Sequence, residues 1–183
     1  MSSIKFRYAL LLLIGMLLSA CGDMTDDLLP SGDDKRPPVE EGTSGTQVGQ
    51  QAPDFSLYDT LGNSRGLYTE LATAEAVVLY FNMWCPICDA HASHMRADIM
   101  PAFPNVQFFL VDYVTGSITD SRAAQEANGY TDMDVLVDIG QEQFDAYRAS
   151  MGTTVVIDTA GIVQMNEDYK DGARLRSTLE QLP

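Results

Sequence analysis

The sequence predicts an α/β fold in which a β-sheet of mixed strand direction carries helices on both faces. Hydrophobic residues make up 45% of the 183 residues, which is typical of a globular domain with a substantial core. Short apolar runs rich in β-branched and aromatic residues alternate with helix-like segments. A hairpin follows near the C-terminus, so parallel and antiparallel strands are expected in one sheet.

The first half of the folded segment is organised around one strand that we expect to be buried. Residues 77–81 read Val-Val-Leu-Tyr-Phe, a continuous apolar run typical of a strand covered on both faces. The elements around it are predicted from turn residues and periodicity. In order they are a short strand at 52–57, a hairpin turn at 59–63, a short helix at 68–74, and a helix at 85–99 that Pro101 ends.

The second half repeats the alternation of strand and helix. Residues 106–111 are a second apolar run, and Gly129 marks the end of a helix. The predicted elements are a strand at 106–111, a helix at 121–128, a strand at 134–139, a helix at 142–150, a strand at 153–157, a turn at 158–161, a strand at 162–166 and a helix at 172–182.

The charge of the chain is strongly negative. The formal net charge is −15, from 11 basic and 26 acidic residues. Residues 1–20 hold two of the basic residues and no acid, so without them the charge is −17. Such a surface repels phosphate backbones and anionic headgroups, which excludes nucleic acid and an anionic membrane surface as partners.

Residues 1–20 have the features of a bacterial lipoprotein signal peptide. Lys5 and Arg7 form a short positive region, and the apolar run 8–18 is shorter than the roughly 20 residues of a transmembrane helix. The run ends in Leu-Ser-Ala-Cys, which resembles the lipobox, whose cysteine becomes acylated. Cys21 is therefore the predicted lipid attachment residue. The alternative is an ordinary cleavage site that precedes a cysteine.

The segment after Cys21 predicts a flexible connection to one domain. Residues 21–47 are rich in Asp, Glu, Gly, Pro and Ser and show no periodicity, so they are predicted to be a disordered acidic tether. The domain is predicted to span 48–183. The chain has three cysteines, and if Cys21 carries lipid the domain keeps one pair, Cys85 and Cys88. In an oxidising compartment such a pair forms one disulfide and leaves no odd thiol.

The spacing of Cys85 and Cys88 predicts redox chemistry. The pair opens the helix that follows the buried strand, so Cys85 is expected at a helix N-terminus, where free N–H groups and the helix dipole stabilise a thiolate. Cys88 lies one turn further on, close enough to form a disulfide. Pro86 falls in the first helical turn, where its missing N–H costs nothing. Trp84 precedes the pair, and we expect it to pack over the disulfide or to help bind a partner.

The sequence Trp84-Cys85-Pro86-Ile87-Cys88 after an apolar strand resembles the thioredoxin superfamily. Residues 48–55, Val-Gly-Gln-Gln-Ala-Pro-Asp-Phe, resemble the N-terminal segment of its redoxin and TlpA/ResA-like branch. The resemblance covers about residues 48–183. It implies a thioredoxin-like three-layer fold, thiol–disulfide oxidoreductase activity through Cys85 and Cys88, and a reducing or isomerising role.

Three positions depart from the pattern of that superfamily. The position that usually holds a cis-proline in this superfamily corresponds to Gly152 or Thr153. Because a non-proline cis peptide bond costs about 3 kcal/mol, we expect a trans loop of different shape here. Ser93 stands where many relatives have a helix-kinking proline. Leu79 occupies the position of a buried aspartate in thioredoxins. Asp112, at the end of the next strand, is a candidate proton acceptor, although a role as a turn residue is the simpler interpretation.

Two other functions remain open. Peroxiredoxins resemble this chain, but their cysteine is activated by a threonine and a proline at positions that hold Asn82 and Val78 here. The chain's two histidines, His91 and His94, continue the three-residue spacing of Cys85 and Cys88. These four side chains suggest a copper or zinc site of the SCO type. A helix turns each such step by about −60°, so His94 should face away from Cys85, whereas Cys88 with His91 remains a candidate open site.

The sequence thus predicts a monomeric, lipid-anchored thioredoxin-fold oxidoreductase in the bacterial cell envelope. Its expected partners are exported proteins with disulfides or thiols and a membrane thiol electron donor. Disulfide exchange needs only the two thiols, so no cofactor and no resident metal are predicted. The direction of exchange and the client are not specified by the sequence.

Overall fold

The computed structural model describes residues 42–183. The predicted signal peptide, Cys21 and most of the predicted tether lie outside the described residues. The strands are β1 (Ser56–Asp59), β2 (Ser64–Gly66), β3 (Ala76–Asn82), β4 (Val106–Asp112), β5 (Asp134–Val137), β6 (Thr153–Asp158) and β7 (Val163–Asp168). The helices are α1 (Leu67–Leu71), α2 (Pro86–His94), α3 (Ile118–Ala127), α4 (Glu142–Ala146) and α5 (Ala173–Glu180).

All seven strands form one mixed sheet. Their order is β2-β1-β5-β4-β3-β6-β7. The central strands β3, β4 and β5 run parallel, and β6 pairs antiparallel with β3. The outer pairs β1–β2 and β6–β7 are antiparallel hairpins. The predicted α/β sheet of mixed direction is therefore confirmed.

Strand β3 separates two hydrophobic cores. All seven of its residues are buried, and its side chains alternate between the two faces of the sheet. Ala76, Val78 and Tyr80 pack with residues of α2 and α5, whereas Val77, Leu79 and Phe81 pack with residues of α1 and the segment after α4. Helices therefore cover both faces, as the continuous apolar run predicts.

Several helix boundaries differ from the predicted ones for local reasons. The helix predicted over 85–99 is α-helical only to His94 and continues as a π-helical turn over Met95–Ile99. Helix α3 begins earlier than predicted because the Ser117 hydroxyl caps it by accepting from the Asp120 N–H. Helix α4 ends early, followed by Arg148 in the left-handed region with φ 49°.

The folded unit extends further towards the N-terminus than the sequence predicts. Residues 42–47, assigned to the tether, bond to the domain: the Thr46 hydroxyl donates to the Ala146 carbonyl at 2.7 Å, and the Gly45 N–H donates to the Gln51 carbonyl at 2.9 Å. The polar composition of this stretch concealed these bonds, because backbone and hydroxyl groups make them. In the described part of the chain, no helix is long and apolar enough to cross a membrane.

Gln125 of α3 fixes the loop that leads from this helix to β5. Its side chain is 2% exposed, and its Nε2 donates to the carbonyls of Tyr130 at 3.0 Å and Met133 at 2.7 Å. Its Oε1 accepts from the Thr60 hydroxyl at 2.6 Å. The loop matters for the helix α2 because the Tyr130 hydroxyl donates to the Asp89 carbonyl there.

Replacing Gln125 by leucine tests how far the loop depends on this side chain. Gln125→Leu leaves two carbonyls and a hydroxyl without their buried partner, so we expect the free energy of unfolding to fall by about 1–3 kcal/mol. Chemical denaturation measures the change. Gln181→Leu, at an exposed position after α5, is the matched control and should change stability little. Equal stability of the two variants would contradict the role given to Gln125.

Candidate active site

The chain turns from β3 into α2 over only three residues. Asn82 ends the strand, and Trp84 adopts the left-handed region with φ 56°, which is unusual for a bulky side chain. The Asn82 Oδ1 accepts from the Trp84 N–H at 3.1 Å and holds this turn. The Asn82 Nδ2 is buried and has no hydrogen-bond partner among the described residues. The turn directs Cys85 to the first position before α2.

Asp112 holds the Trp84 side chain from the end of β4. Its Oδ2 accepts from the Trp84 indole N–H at 2.8 Å and from the Thr115 hydroxyl at 2.7 Å, and its Oδ1 accepts from the Val114 and Thr115 N–H groups. Asp112 is 1% exposed. It is therefore a turn residue that also anchors Trp84. The sequence placed Trp84 beside the cysteines but gave no sign of this bond.

Cys85 caps helix α2, as predicted. Its Sγ accepts from the Cys88 N–H at 3.3 Å, and Pro86 occupies the first turn of the helix. Because the first N–H groups of a helix have no partner within it, a sulfur in this place takes part of their positive potential. The predicted arrangement of Cys85 and Pro86 is therefore present.

The two cysteines form a dithiol pair with unequal exposure. Their Sγ atoms lie 2.9 Å apart, so little movement is needed to reach the disulfide distance of about 2.05 Å. Cys88 is 1% exposed, whereas Cys85 is only partly covered. A reaction partner in solution therefore meets Cys85 first.

The environment shifts the pKa values of the two thiols in opposite directions. Burial alone would raise the pKa of Cys85, but hydrogen bonds from the Cys88 thiol and from the backbone N–H groups of Cys88 and Ile87 outweigh it and lower that pKa. Burial and the hydrogen bond to Cys85 raise the pKa of Cys88. The pair thus has a thiolate-forming outer sulfur and a protonated inner one.

The two histidines of α2 contact tyrosines from other parts of the chain, Tyr80 of β3 and Tyr169 after β7. His91 Nδ1 and the Tyr80 hydroxyl are 3.0 Å apart, and His94 Nδ1 bonds to the Tyr169 hydroxyl. The two histidines share Tyr169, because its ring also contacts His91, with ring centroids 4.7 Å apart. Residues 42–183 contain no group of three or more His, Cys, Asp or Glu side chains arranged to hold a metal ion. The Nδ1 atom of His91 is therefore paired with the Tyr80 hydroxyl. These contacts do not support a metal site formed by His91 and Cys88.

The loop before β6 has the trans geometry that the sequence predicts. Residues 42–183 contain no cis peptide bond. Gly152 has φ +90°, its N–H donates to the Phe81 carbonyl at 2.9 Å, and its carbonyl accepts from the Tyr169 N–H at 2.8 Å. The left-handed conformation favours glycine at this position. The loop thereby lies directly over Tyr80 and His91.

Sequence reasoning missed the role of two tyrosine hydroxyls. Tyr80 is 1% exposed and was assigned to the core, which is correct for its ring. Its hydroxyl nevertheless meets His91, and the Tyr169 hydroxyl bonds His94. The Tyr169 ring also lies tilted against His91, with ring centroids 4.7 Å apart. The one signal available was that a buried tyrosine needs a partner for its hydroxyl. Ser93 is likewise paired, with the Tyr130 hydroxyl at 2.9 Å.

Four exposed hydrophobic side chains lie in the segments that follow the carboxyl ends of the parallel strands β3, β4 and β5. We call them the apolar rim: Met83, Ile87, Val114 and Ile139, which are 42%, 55%, 44% and 54% exposed. Met83 precedes the pair, Ile87 lies between its two cysteines, and the other two follow β4 and β5. Parallel strands end at one edge of a sheet, so the rim borders the place where a partner reaches Cys85.

The pKa asymmetry predicts selective alkylation. In the reduced chain, iodoacetamide should modify Cys85 first, with a midpoint in its pH–rate profile below the ordinary value of 9.0. Cys88→Ala removes the thiol that donates to Cys85, so the midpoint should rise. Cys88→Ser keeps a donor and is the matched control. Equal midpoints in these two variants would show that the Cys88 hydrogen bond does not lower the pKa of Cys85.

The chain is similar to a known protein family and to a thioredoxin-like protein. The sequence model of the AhpC/TSA family matches residues 48–166, more than half of the chain. The thioredoxin-like protein YneN of Bacillus subtilis is 24% identical over 138 residues, which are 75% of this chain and 79% of YneN.

Two solved structures show the same fold. The pneumococcal exposed lipoprotein thioredoxin Etrx1 of Streptococcus pneumoniae has a TM-score of 0.58 and 24% identity, over 70% of this chain and 99% of that one. The peroxidoxin BcpB of Mycobacterium tuberculosis has a TM-score of 0.62 and 24% identity, over 75% of this chain and 96% of that one. The fold is therefore thioredoxin-like, as predicted, and the chain belongs to the AhpC/TSA family of redoxins.

Proposed function

We propose that this redoxin is a thiol–disulfide oxidoreductase that exchanges disulfides through Cys85 and Cys88. One observation carries the proposal: a partly exposed helix-capping thiol with a lowered pKa lies 2.9 Å from a buried thiol with a raised pKa. Exchange needs a thiolate that a partner reaches and a second thiol that waits within bonding distance.

The proposed reaction has two steps. The Cys85 thiolate attacks one sulfur of a client disulfide, and the other client sulfur leaves as a thiolate. Cys88, still protonated, cannot compete as a nucleophile in this step. It then loses its proton and attacks Cys85 Sγ, which forms the Cys85–Cys88 disulfide and releases the second client thiolate. Run in reverse, the same atoms oxidise a client dithiol.

The peroxidase alternative is less well supported by the same site. The fold is shared with a peroxidoxin, but a peroxide needs donors around the reactive cysteine. The position of the activating threonine holds Asn82, whose side chain is 2% exposed, and the position of the proline holds Val78, fully buried inside β3. A second cysteine one turn away, with Pro86 between, fits disulfide exchange better.

The proposal includes a location and partners. We place the protein in the bacterial cell envelope, anchored through a lipid on Cys21, with the domain outside the cytoplasm. Etrx1, a lipoprotein thioredoxin of similar fold, shows that a fold of this kind occurs in such a protein. Exported proteins with disulfides or thiols would bind at the apolar rim, and a membrane thiol donor would restore the dithiol. We propose a monomer.

A redox titration tests the exchange function. Trp84 is the single tryptophan of the chain and adjoins Cys85, so its fluorescence should report the state of the pair. Equilibration with mixtures of reduced and oxidised glutathione should give one two-electron transition, whose midpoint separates a reductant from an oxidant. Cys88→Ser should abolish it. Absence of a reversible transition in the unmodified chain would refute disulfide exchange.

A parallel measurement separates exchange from peroxide reduction. The reduced chain is mixed with hydrogen peroxide or with oxidised glutathione, and loss of free thiols is followed. We expect reaction with the disulfide to be much faster, because Asn82 stands where peroxiredoxins have the activating threonine. Faster reaction with peroxide would favour the peroxidase function.

A further inference from the structure

We propose that Tyr80 and His91 carry the proton away from Cys88 when it attacks the mixed disulfide. In this relay the Tyr80 hydroxyl links the buried thiol to His91, and His91 releases a proton to solvent. The inference rests on the proposed exchange function and adds two residues to its second step.

The second step needs a proton acceptor that reaches a buried sulfur. Cys88 is 1% exposed, so water has almost no access to it. Leu79 offers no acceptor and packs on the opposite face of the sheet. Two carboxylates lie near, but Asp112 is occupied by Trp84 and Thr115, and the Asp89 carboxylate accepts from the Tyr130 hydroxyl.

The Tyr80 side chain lies beside both groups that a relay must join. Tyr80 and Cys88 pack in the same core between β3 and α2, close enough for the Cys88 thiol to raise the pKa of the Tyr80 hydroxyl. On its other side the same hydroxyl lies 3.0 Å from His91 Nδ1. Cys88 and His91 are three residues apart on α2, so they share the helix face above Tyr80.

The protonation states of these groups suit transfer. Burial, together with the charges of both cysteines, raises the pKa of Tyr80, so its hydroxyl stays protonated and passes a proton on. Burial and the nearby His94 lower the pKa of His91 below its ordinary 6.5, so it is neutral at pH 7. With the proton on Nε2, the Nδ1 atom accepts from Tyr80.

His91 faces groups from three elements besides its own helix. They are Tyr80 of β3, Tyr169 after β7, and Gly152 before β6. Burial and the charges of Asp171 and Asp98 raise the pKa of Tyr169 to about 12, and the charge of Arg176 opposes this shift. A Cβ on Gly152 would lie 3.7 Å from His91 Nδ1 and 3.9 Å from the Tyr80 hydroxyl. Because Gly152 has no side chain, it does not cover the Tyr80 hydroxyl and His91. His91 itself is only half-buried.

The proton of Cys88 leaves through the relay as the new disulfide forms. The Cys88 thiol gives its proton to the Tyr80 oxygen while the Tyr80 hydroxyl gives its own to His91 Nδ1, and His91 Nε2 releases a proton to water. The electron pair left on Cys88 Sγ forms the bond to Cys85 Sγ. The bond between Cys85 Sγ and the client sulfur breaks, and the client leaves with that electron pair as a thiolate. Two cysteine thiols are oxidised and one client disulfide is reduced.

Single-turnover kinetics test the relay. The reduced full chain with Cys21→Ser, which leaves Cys85 and Cys88 as its thiols, is mixed with 4,4′-dithiodipyridine. One equivalent of pyridinethione is released when Cys85 attacks and a second when Cys88 does. Tyr80→Phe and His91→Gln should leave the first phase unchanged and slow the second about tenfold or more. The double variant should be no slower than the slower single variant, because both residues act in one path.

A matched histidine controls for structural effects. His94→Gln removes a second histidine–tyrosine bond from the same helix but does not touch Tyr80. Both phases should therefore keep their rates at alkaline pH, where His91 is neutral with or without the charge of His94. In the unmodified chain the second phase should also slow as pH falls below His91's pKa, because protonated His91 cannot accept. This acid limb should disappear in His91→Gln, which a merely structural role for His91 would not produce.

Three results would overturn the relay. They are a second phase at the unmodified rate in both Tyr80→Phe and His91→Gln, an equal slowing by His94→Gln, or slowing by Asp89→Asn alone. Each leaves the exchange function intact, because the unmodified chain still releases both equivalents. If the unmodified chain releases neither equivalent, the proposed function itself fails, and the relay with it.

Discussion

The site depends on one constraint: a strand buried on both faces must become a helix within three residues, with a sulfur at the helix cap. β3 cannot bend earlier, because each of its side chains fills one of the two cores. The turn therefore places Trp84 in the left-handed region, at a cost of about 1–3 kcal/mol. The bonds from Asn82 and Asp112 hold it there, so residues outside the Cys-x-x-Cys stretch fix where Cys85 points.

The difference between the two thiols follows from this placement. They share one contact of 2.9 Å, yet it stabilises a thiolate on Cys85 and opposes one on Cys88. Cys85 receives backbone N–H groups at the helix start and has access to solvent, whereas Cys88 lies in the core one turn deeper. Such a pair titrates as a unit. The difference in burial between the two sulfur atoms sets the order of the reaction. The partly exposed sulfur of Cys85 attacks first, and the buried sulfur of Cys88 follows only after it loses its proton.

The sequence predicted the parts of this site that depend on local pattern. The apolar run of β3, the cap by Cys85 and the position of Pro86 all follow from periodicity or spacing within one element. The bond between Trp84 and Asp112 and the contact of Tyr80 with His91 join different elements, and no spacing rule relates them. Helix ends were missed where a π-turn or a left-handed residue intervened, and polar residues 42–47 concealed contacts made by backbone groups.

Helix α2 has two histidine–tyrosine pairs, and the groups next to each tyrosine hydroxyl determine whether the pair can take a proton from a thiol. The hydroxyl of Tyr169 bonds His94, and the charges that act on it are those of Asp171, Asp98 and Arg176. No cysteine is among these groups, so this pair has no thiol from which to take a proton. The hydroxyl of Tyr80 bonds His91 with the two cysteines behind it. The same residue types therefore form a packing contact at one site and a path from a buried thiol at the other. The Gly152 loop, without a side chain over that path, keeps its outer end within reach of water.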